Sequence, residues 1–249
     1  MAHSPLEQFI IKPISEISVA GIDATFTNSS LWMVIVVCVL SFFLVGGTKS
    51  KSLVPGRWQG AVEVMHEFIA NMVRENVGSE GKQYFPFIFT LFMFVLGCNL
   101  LGMIPYSFTV TSHIIVTFAL AAVVFIGVTL LGFYKHGFGF LKLFLPSGAP
   151  MLLMPVLFVI EVISYLTRPV SLSVRLFANM FAGHMMMKIF AGFVISLGSL
   201  GFVGYLGAIL PFSLNIAMSG LEVLVAFLQA YVFAILTCIY LNDALHPSH

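Results

Sequence analysis

The chain has 249 residues, 59% of them hydrophobic and only 8% charged, with a formal net charge of +1. A soluble domain is about 45–50% apolar and about 25% charged, so this composition excludes an ordinary soluble fold. The small net charge gives no sign of a nucleic-acid partner. Cys38, Cys98 and Cys238 all lie in apolar runs and read as buried free thiols, not as a disulfide framework.

Residues 1–30 form a polar segment carrying Glu7, Lys12, Glu16 and Asp23. The start of the chain lacks the Lys/Arg region of a cleavable signal peptide. Asn28-Ser29-Ser30 matches a glycosylation sequon and is read here as a coincidence in a turn. Residues 31–47 hold no charge and are predicted as the first transmembrane helix, since roughly 20 residues cross a ~30 Å core.

Residues 48–82 break the apolar pattern with Lys49, Lys51, Arg57, Arg74, Lys82 and four glutamates. Within them, Val62, Met65, Phe68, Ile69 and Met72 recur at helical spacing, with His66 on the polar side. This predicts an amphipathic helix over 57–79 lying along the membrane surface. Two further uncharged runs, 84–105 and 112–134, flank the connector PYSFTVT and predict a transmembrane hairpin over 84–134. Asn99 is its one strong amide, suited to a helix–helix hydrogen bond. Residues 135–150 read as a loop.

Residues 150–242 contain two stretches with almost no loop signal. A helix from Met151 to Leu197 would measure about 70 Å, and one from Phe202 to Leu241 about 60 Å. Neither fits upright in a ~30 Å core, so a strongly tilted hairpin is expected. Gly198, Gly201, Gly204 and Gly207 mark its turn, and Pro155, Pro169 and Pro211 are candidate bends. The fold class is therefore an all-α membrane protein, read as one membrane domain over 1–249. It comprises an N-terminal transmembrane helix, a surface amphipathic helix, a hairpin, and two long tilted helices.

Lys/Arg residues cluster in 48–82 and again at Lys135 and Lys142, which places these segments and the C-terminus in the cytoplasm and the N-terminus outside.

The two long helices carry Glu161, Arg168, Arg175, His184, Lys188 and Glu222, with Asp243 at the exit. Ionisable groups at the centre of a span cost about 2.5–3.5 kcal/mol each, and face a cavity or a partner. Glu161, Arg168 and Arg175 share a helix face, with Asn179 one turn on; Glu222 and Gln229 share another. Under the expected orientation, Glu161 and Asp243 fall in the cytoplasmic half and His184 and Glu222 in the outer half, with Arg175 between. Such a split suggests two aqueous half-channels. Imidazole and carboxyl groups can relay protons, whereas the guanidinium stays protonated and blocks direct passage. On the residues alone, a self-contained secondary transporter binding solute through Arg175 and Glu222 stays open, as does a scaffold whose charges merely pair.

SVRLFANMFAGH (173–184), followed by LEVLVAFLQAYVFAIL (221–236), resembles the subunit a family of F-type ATP synthases. The resemblance covers most of the chain. It implies a non-catalytic, proton-conducting stator beside a ring of c subunits, in contact with peripheral-stalk b-type subunits and the remainder of the synthase. A bacterial inner membrane is implied, and no cofactor or metal. By resemblance, Arg175 is the essential arginine, with Asn179 and Gln229 as its polar neighbours. His184 and Glu222 form the outer pair, and Glu161 and Asp243 the inner acids. Many bacterial members carry the outer acid and imidazole in the reverse positions, so the pair is kept only if the two side chains meet. The resemblance leaves Arg168 and Lys188 to headgroup contact or structural pairing.

Overall fold

The computed structural model describes residues 9–15, 18–19, 22–23, 25–49, 55–104, 107–144 and 154–246. Glu7, Glu16, Lys51 and parts of the connector and of the predicted 135–150 loop lie outside the described residues. The helices are α1 (Asn28–Thr48), α2 (Arg57–Val77), α3 (Phe85–Gly102), α4 (Ile114–His136), α5 (Met154–Gly198) and α6 (Phe202–Leu245). All but α2 are long and apolar enough to cross a membrane. At 45 and 44 residues, α5 and α6 would each measure about 66 Å. The helical assignment runs through Pro169 and Pro211. Pro155 sits in the first turn of α5, where its missing N–H costs nothing. The chain falls into two compact units.

The first unit takes the described residues of Met1–Phe43, Met93–His113 and Leu176–Ala230. Its N-terminal part forms two small antiparallel pairs. β1 (Pro13–Ser15) pairs with β4 (Phe26–Thr27), and β2 (Ser18–Val19) with β3 (Ile22–Asp23). Asn28 ties this segment to α1. Its Oδ1 accepts from the backbone N–H of Lys12 at 3.2 Å and of Ser29 at 2.9 Å, and its Nδ2 donates to the Ile10 carbonyl at 3.2 Å. The amide of the sequon is thus engaged by backbone. On α1, Val36 and Leu40 close on Gly97 of α3, where a Cβ would approach both to 3.0 Å. Val34, Val37 and Phe42 point outward, as expected of a lipid face. Cys38 shares that exposure, against the expectation of burial; Cys98 and Cys238 are buried.

The α5–α6 turn is tighter than the four glycines suggested. Gly198 ends α5, Gly201 makes the turn with φ of 79°, and Gly204 and Gly207 already belong to α6. A positive φ disfavours any residue with a Cβ. Gly204 is small for a different reason: a Cβ there would run into the Leu197 carbonyl.

The second unit takes the described residues of Leu44–Phe92, Ile114–Arg175 and Tyr231–His249. In it α2 buries Val62, Ile69, Met72, Val73 and Val77, the i, i+3, i+4, i+7 stripe of an amphipathic helix. Met65 is only half-buried. Phe68 lies at the margin of that stripe, its ring 6.1 Å from Phe92 and 5.7 Å from Tyr231. His66 packs its ring 4.6 Å from Phe85. The stripe is rotated relative to the expected one because Val73 and Val77 extend it past Met72.

The stretch expected as a loop is helical where described. α4 runs to His136 and continues as tight turns over Gly137–Phe144. Phe140 is fully buried. It fills a notch left by Gly132, with the Phe133 ring at 5.0 Å. That burial of an aromatic side chain stabilises turns that polarity alone would not reveal. Nearby, Lys135 pairs with Glu80, and His136 Nε2 donates to the Leu245 carbonyl at 2.9 Å. That carbonyl ends α6 and has no intrahelical donor.

Candidate functional site

In the first unit, α5 and α6 bring together the imidazole and the carboxyl that the sequence set apart. His184 Nδ1 lies 2.5 Å from Glu222 Oε1, with the two side chains 4% and 3% exposed. Small residues make the approach possible. A Cβ on Gly183 would meet Glu222 Oε1 at 2.9 Å and its carboxyl carbon at 3.1 Å. Nδ1 also lies 3.0 Å from the Met180 carbonyl. Neither Glu222 oxygen has a well-directed hydrogen bond among the described residues.

The other face of the imidazole meets the α3–α4 connector. Nε2 lies 2.9 Å from the Gly102 carbonyl and 2.8 Å from Thr109 Oγ1. Thr109 Oγ1 and Ser107 Oγ donate to the same carbonyl at 3.1 and 2.9 Å. Gly102 ends α3, so its carbonyl lacks a helical donor. Side chains from the connector and α5 supply three instead. A few residues back, Asn99 is fully buried. Its Nδ2 donates to the Ala226 carbonyl of α6 at 3.2 Å, and its Oδ1 accepts from Thr111 Oγ1 at 2.8 Å. The helix–helix hydrogen bond expected of Asn99 is therefore present, to backbone. Lys188 sits with its ammonium 5.2 Å from the Phe9 ring, and Phe9 in turn packs on Phe181 at 5.1 Å.

A separate polar cluster forms in the second unit. Arg168 Nη1 donates to Asp243 Oδ2 at 2.9 Å, each side chain 25% exposed. The guanidinium also lies 5.2 Å from the Tyr165 ring and 4.9 Å from the Tyr240 ring. Tyr165 reaches on to Thr129 of α4, hydroxyl to hydroxyl, at 2.7 Å. Structural pairing thus accounts for Arg168, and Asp243 is engaged by it. Glu161 is half-buried on α5.

Arg175 is exposed on α5 and makes no hydrogen bond or ion pair among the described residues. Asn179 and Gln229 are half-buried. The structure brings His184 to Glu222 and Asp243 to Arg168, and leaves Arg175 with no anion among the described residues. Thr109 and Gly102 escaped the sequence reading. No spacing rule links a connector hydroxyl to a histidine two helices on. Among the described residues, no cluster of three His, Cys, Asp or Glu side chains is placed to hold a metal ion.

Comparison with known proteins points one way. The family profile described as ATP synthase A chain matches residues 30–242. A protein named ATP synthase subunit a from Parvibaculum lavamentivorans is 58% identical, over 98% of this chain and 94% of its own. One of the same name from a Chelativorans species is 59% identical over the whole of both chains. A third, from Rhizobium rhizogenes, is 59% identical over 99% of each.

Proposed function

Because the chain belongs to the ATP synthase A chain family, we propose that it is the proton-conducting stator subunit of an F-type ATP synthase. It forms two offset half-channels and couples proton flow to rotation of a c-subunit ring. It carries no catalysis alone. Its partners are the ring, the b-type subunits of the peripheral stalk, the remainder of the synthase and the bilayer of a bacterial inner membrane. The N-terminus lies outside and the C-terminus in the cytoplasm, with 1–249 acting as one membrane domain. A self-contained transporter is not favoured, since the relatives that match end to end are named as subunits of a synthase.

The observation that carries this reading is the exposed Arg175, without an ion pair among the described residues. A permanent cation on a spanning helix costs several kcal/mol unless a partner or water receives it. A carboxylate on a moving partner is the natural counter-charge. Facing lipid, that carboxyl stays neutral, because desolvation disfavours its charged form; facing Arg175, it ionises. Protons reach it from outside through His184 and Glu222. They leave toward the cytoplasm by Glu161 and Asp243, with Arg168 holding Asp243 in place. By family resemblance, Asn179 and Gln229 belong to the same proton path. The fixed guanidinium keeps the two paths apart, since it sheds no proton.

Cross-linking tests the placement. Ala178 is exposed one turn from Arg175. In a background lacking Cys38, Ala178→Cys forms a disulfide with a cysteine set beside the ring carboxyl, and the link stops rotation. Absence of that cross-link in assembled complexes contradicts the reading.

A further inference from the structure

We propose that Thr109 and the Gly102 carbonyl are positioning groups that fix the tautomer of His184. They keep a proton on Nε2 and leave Nδ1 as the nitrogen that exchanges a proton with Glu222. This rests on the reading of His184 and Glu222 as members of the proton path.

The donor and acceptor count around the ring leads there. A carbonyl oxygen only accepts, and the Gly102 carbonyl stands 2.9 Å from Nε2. Thr109 Oγ1 stands 2.8 Å from Nε2 and donates its own proton to that same carbonyl. Its lone pair is then what faces Nε2, so both neighbours of Nε2 call for an N–H. On the other side, Nδ1 meets Glu222 Oε1 at 2.5 Å and the Met180 carbonyl at 3.0 Å; that carbonyl lies inside α5, where the backbone N–H four residues on serves it, so it does not depend on a proton at Nδ1. Glu222 is the one neighbour of the ring that can both give and take a proton. When Glu222 hands its proton over, the Oε1–H bond breaks and the Nδ1–H bond forms. A neutral pair becomes imidazolium and carboxylate, and the reverse step restores it. The partner of one ring nitrogen thus sets what the other can do.

Gly102 has to be a glycine for this. A Cβ there would meet Thr109 Cγ2 at 2.8 Å and the Thr109 backbone at 3.3 Å. The Thr109 backbone is also held from beyond, since Ser112 Oγ donates to its carbonyl at 2.6 Å. The ionisable groups of the surrounding elements in this unit include Glu222 and Tyr205 on α6, Lys188 one turn along α5, His113 at the end of the connector, Cys98 on α3, and Lys12 and Asp23 in the N-terminal segment.

The test uses assembled synthase in membrane vesicles. Thr109→Val keeps the shape and removes the hydroxyl; Thr109→Ser keeps the hydroxyl. ATP-driven proton pumping is followed from roughly pH 6 to 9, the range in which imidazole chemistry reports. Thr109→Val is expected to lower turnover per complex by about 3- to 10-fold, the worth of one lost hydrogen bond, and to displace the pH profile. Thr109→Ser restores both. An unmoved pH profile in Thr109→Val overturns the proposal, whether or not turnover falls. Should Thr109→Val fail to assemble, nitrogen NMR of histidine-labelled wild-type complex decides, with His184→Gln used for assignment. Nε2 is expected to stay protonated throughout while Nδ1 changes; the opposite tautomer overturns the proposal. The NMR result is independent of pumping. Normal pumping by His184→Ala would therefore sink the proton-path reading without touching the tautomer.

Discussion

His184 Nδ1 and Glu222 Oε1 meet at 2.5 Å across α5 and α6 because residue 183 has no side chain to separate them. Glycine to alanine inside a helix normally stabilises by about 0.5–1 kcal/mol. Gly183→Ala is expected to do the opposite of improving the protein. The new methyl pushes the Glu222 carboxyl off the imidazole, and proton-driven ATP synthesis per assembled complex falls about tenfold or more, the scale of losing a positioned proton-transfer group. Synthesis measured in inverted vesicles, normalised to subunit content, checks this; unchanged synthesis contradicts the packing account.

Arg168 is held at once by the Asp243 carboxylate and by the faces of Tyr165 and Tyr240. A double-mutant cycle of Arg168→Met with Asp243→Asn is expected to give a coupling energy of about 1–3 kcal/mol, the range of a charge-assisted hydrogen bond that is largely sheltered from water. Arg168→Lys does not restore it, because an ammonium lacks the flat guanidinium that lies against both rings. Thermal unfolding of the four proteins measures the coupling, and additive losses would show that the two side chains do not act together.

Asn99 joins the α6 backbone at Ala226 to the connector hydroxyl of Thr111. Asn99→Leu keeps the volume and removes both bonds. It strands the Thr111 hydroxyl, which is buried, and costs about 1–3 kcal/mol. The fall in melting temperature is expected to be larger than for Thr111→Ala alone, which removes one bond. Equal or smaller loss in Asn99→Leu contradicts the bridge.

Glu80 lies outside the spans, and Lys135 holds its carboxyl below the ordinary range, first through a hydrogen bond and then through charge. A carboxyl whose pKa is depressed on folding stabilises the fold above its unfolded pKa of about 4.3. That contribution is lost as pH falls through the folded value. Glu80→Gln is therefore expected to lower the melting temperature slightly at pH 7 and to make no difference well into the acid range. The effect is small, since the pair is exposed and screened by salt. A difference that grows on acidification contradicts it.

The membrane helices were legible because apolar length is a one-dimensional property. α1, α3 and α4 fall where uncharged runs predicted them, and α5 and α6 where long stretches lack a loop signal. The helical turn at Gly137–Phe144 was not, since Lys142 and two glycines read as loop while the burial of Phe140 depends on a notch in another element. The rotation of the α2 stripe has the same origin. Among the candidate site residues, helical spacing and depth placed His184 and Glu222 in one group before any contact was seen. They could not show that Asp243 is engaged by Arg168, because which basic group on α5 reaches α6 depends on side-chain packing around Tyr165 and Tyr240. The connector hydroxyl at Thr109 was invisible for a simpler reason: a threonine in an irregular segment has no periodicity to read.

The role of Arg175 is tested most directly by proton-driven ATP synthesis in assembled complexes carrying Arg175→Lys beside Arg175→Ala. Neither variant is expected to synthesise ATP, because lysine can release its proton and lacks the guanidinium's planar fork, and passive proton leak is expected to rise in the alanine variant. Synthesis at the wild-type rate by properly assembled Arg175→Ala complexes would contradict the account.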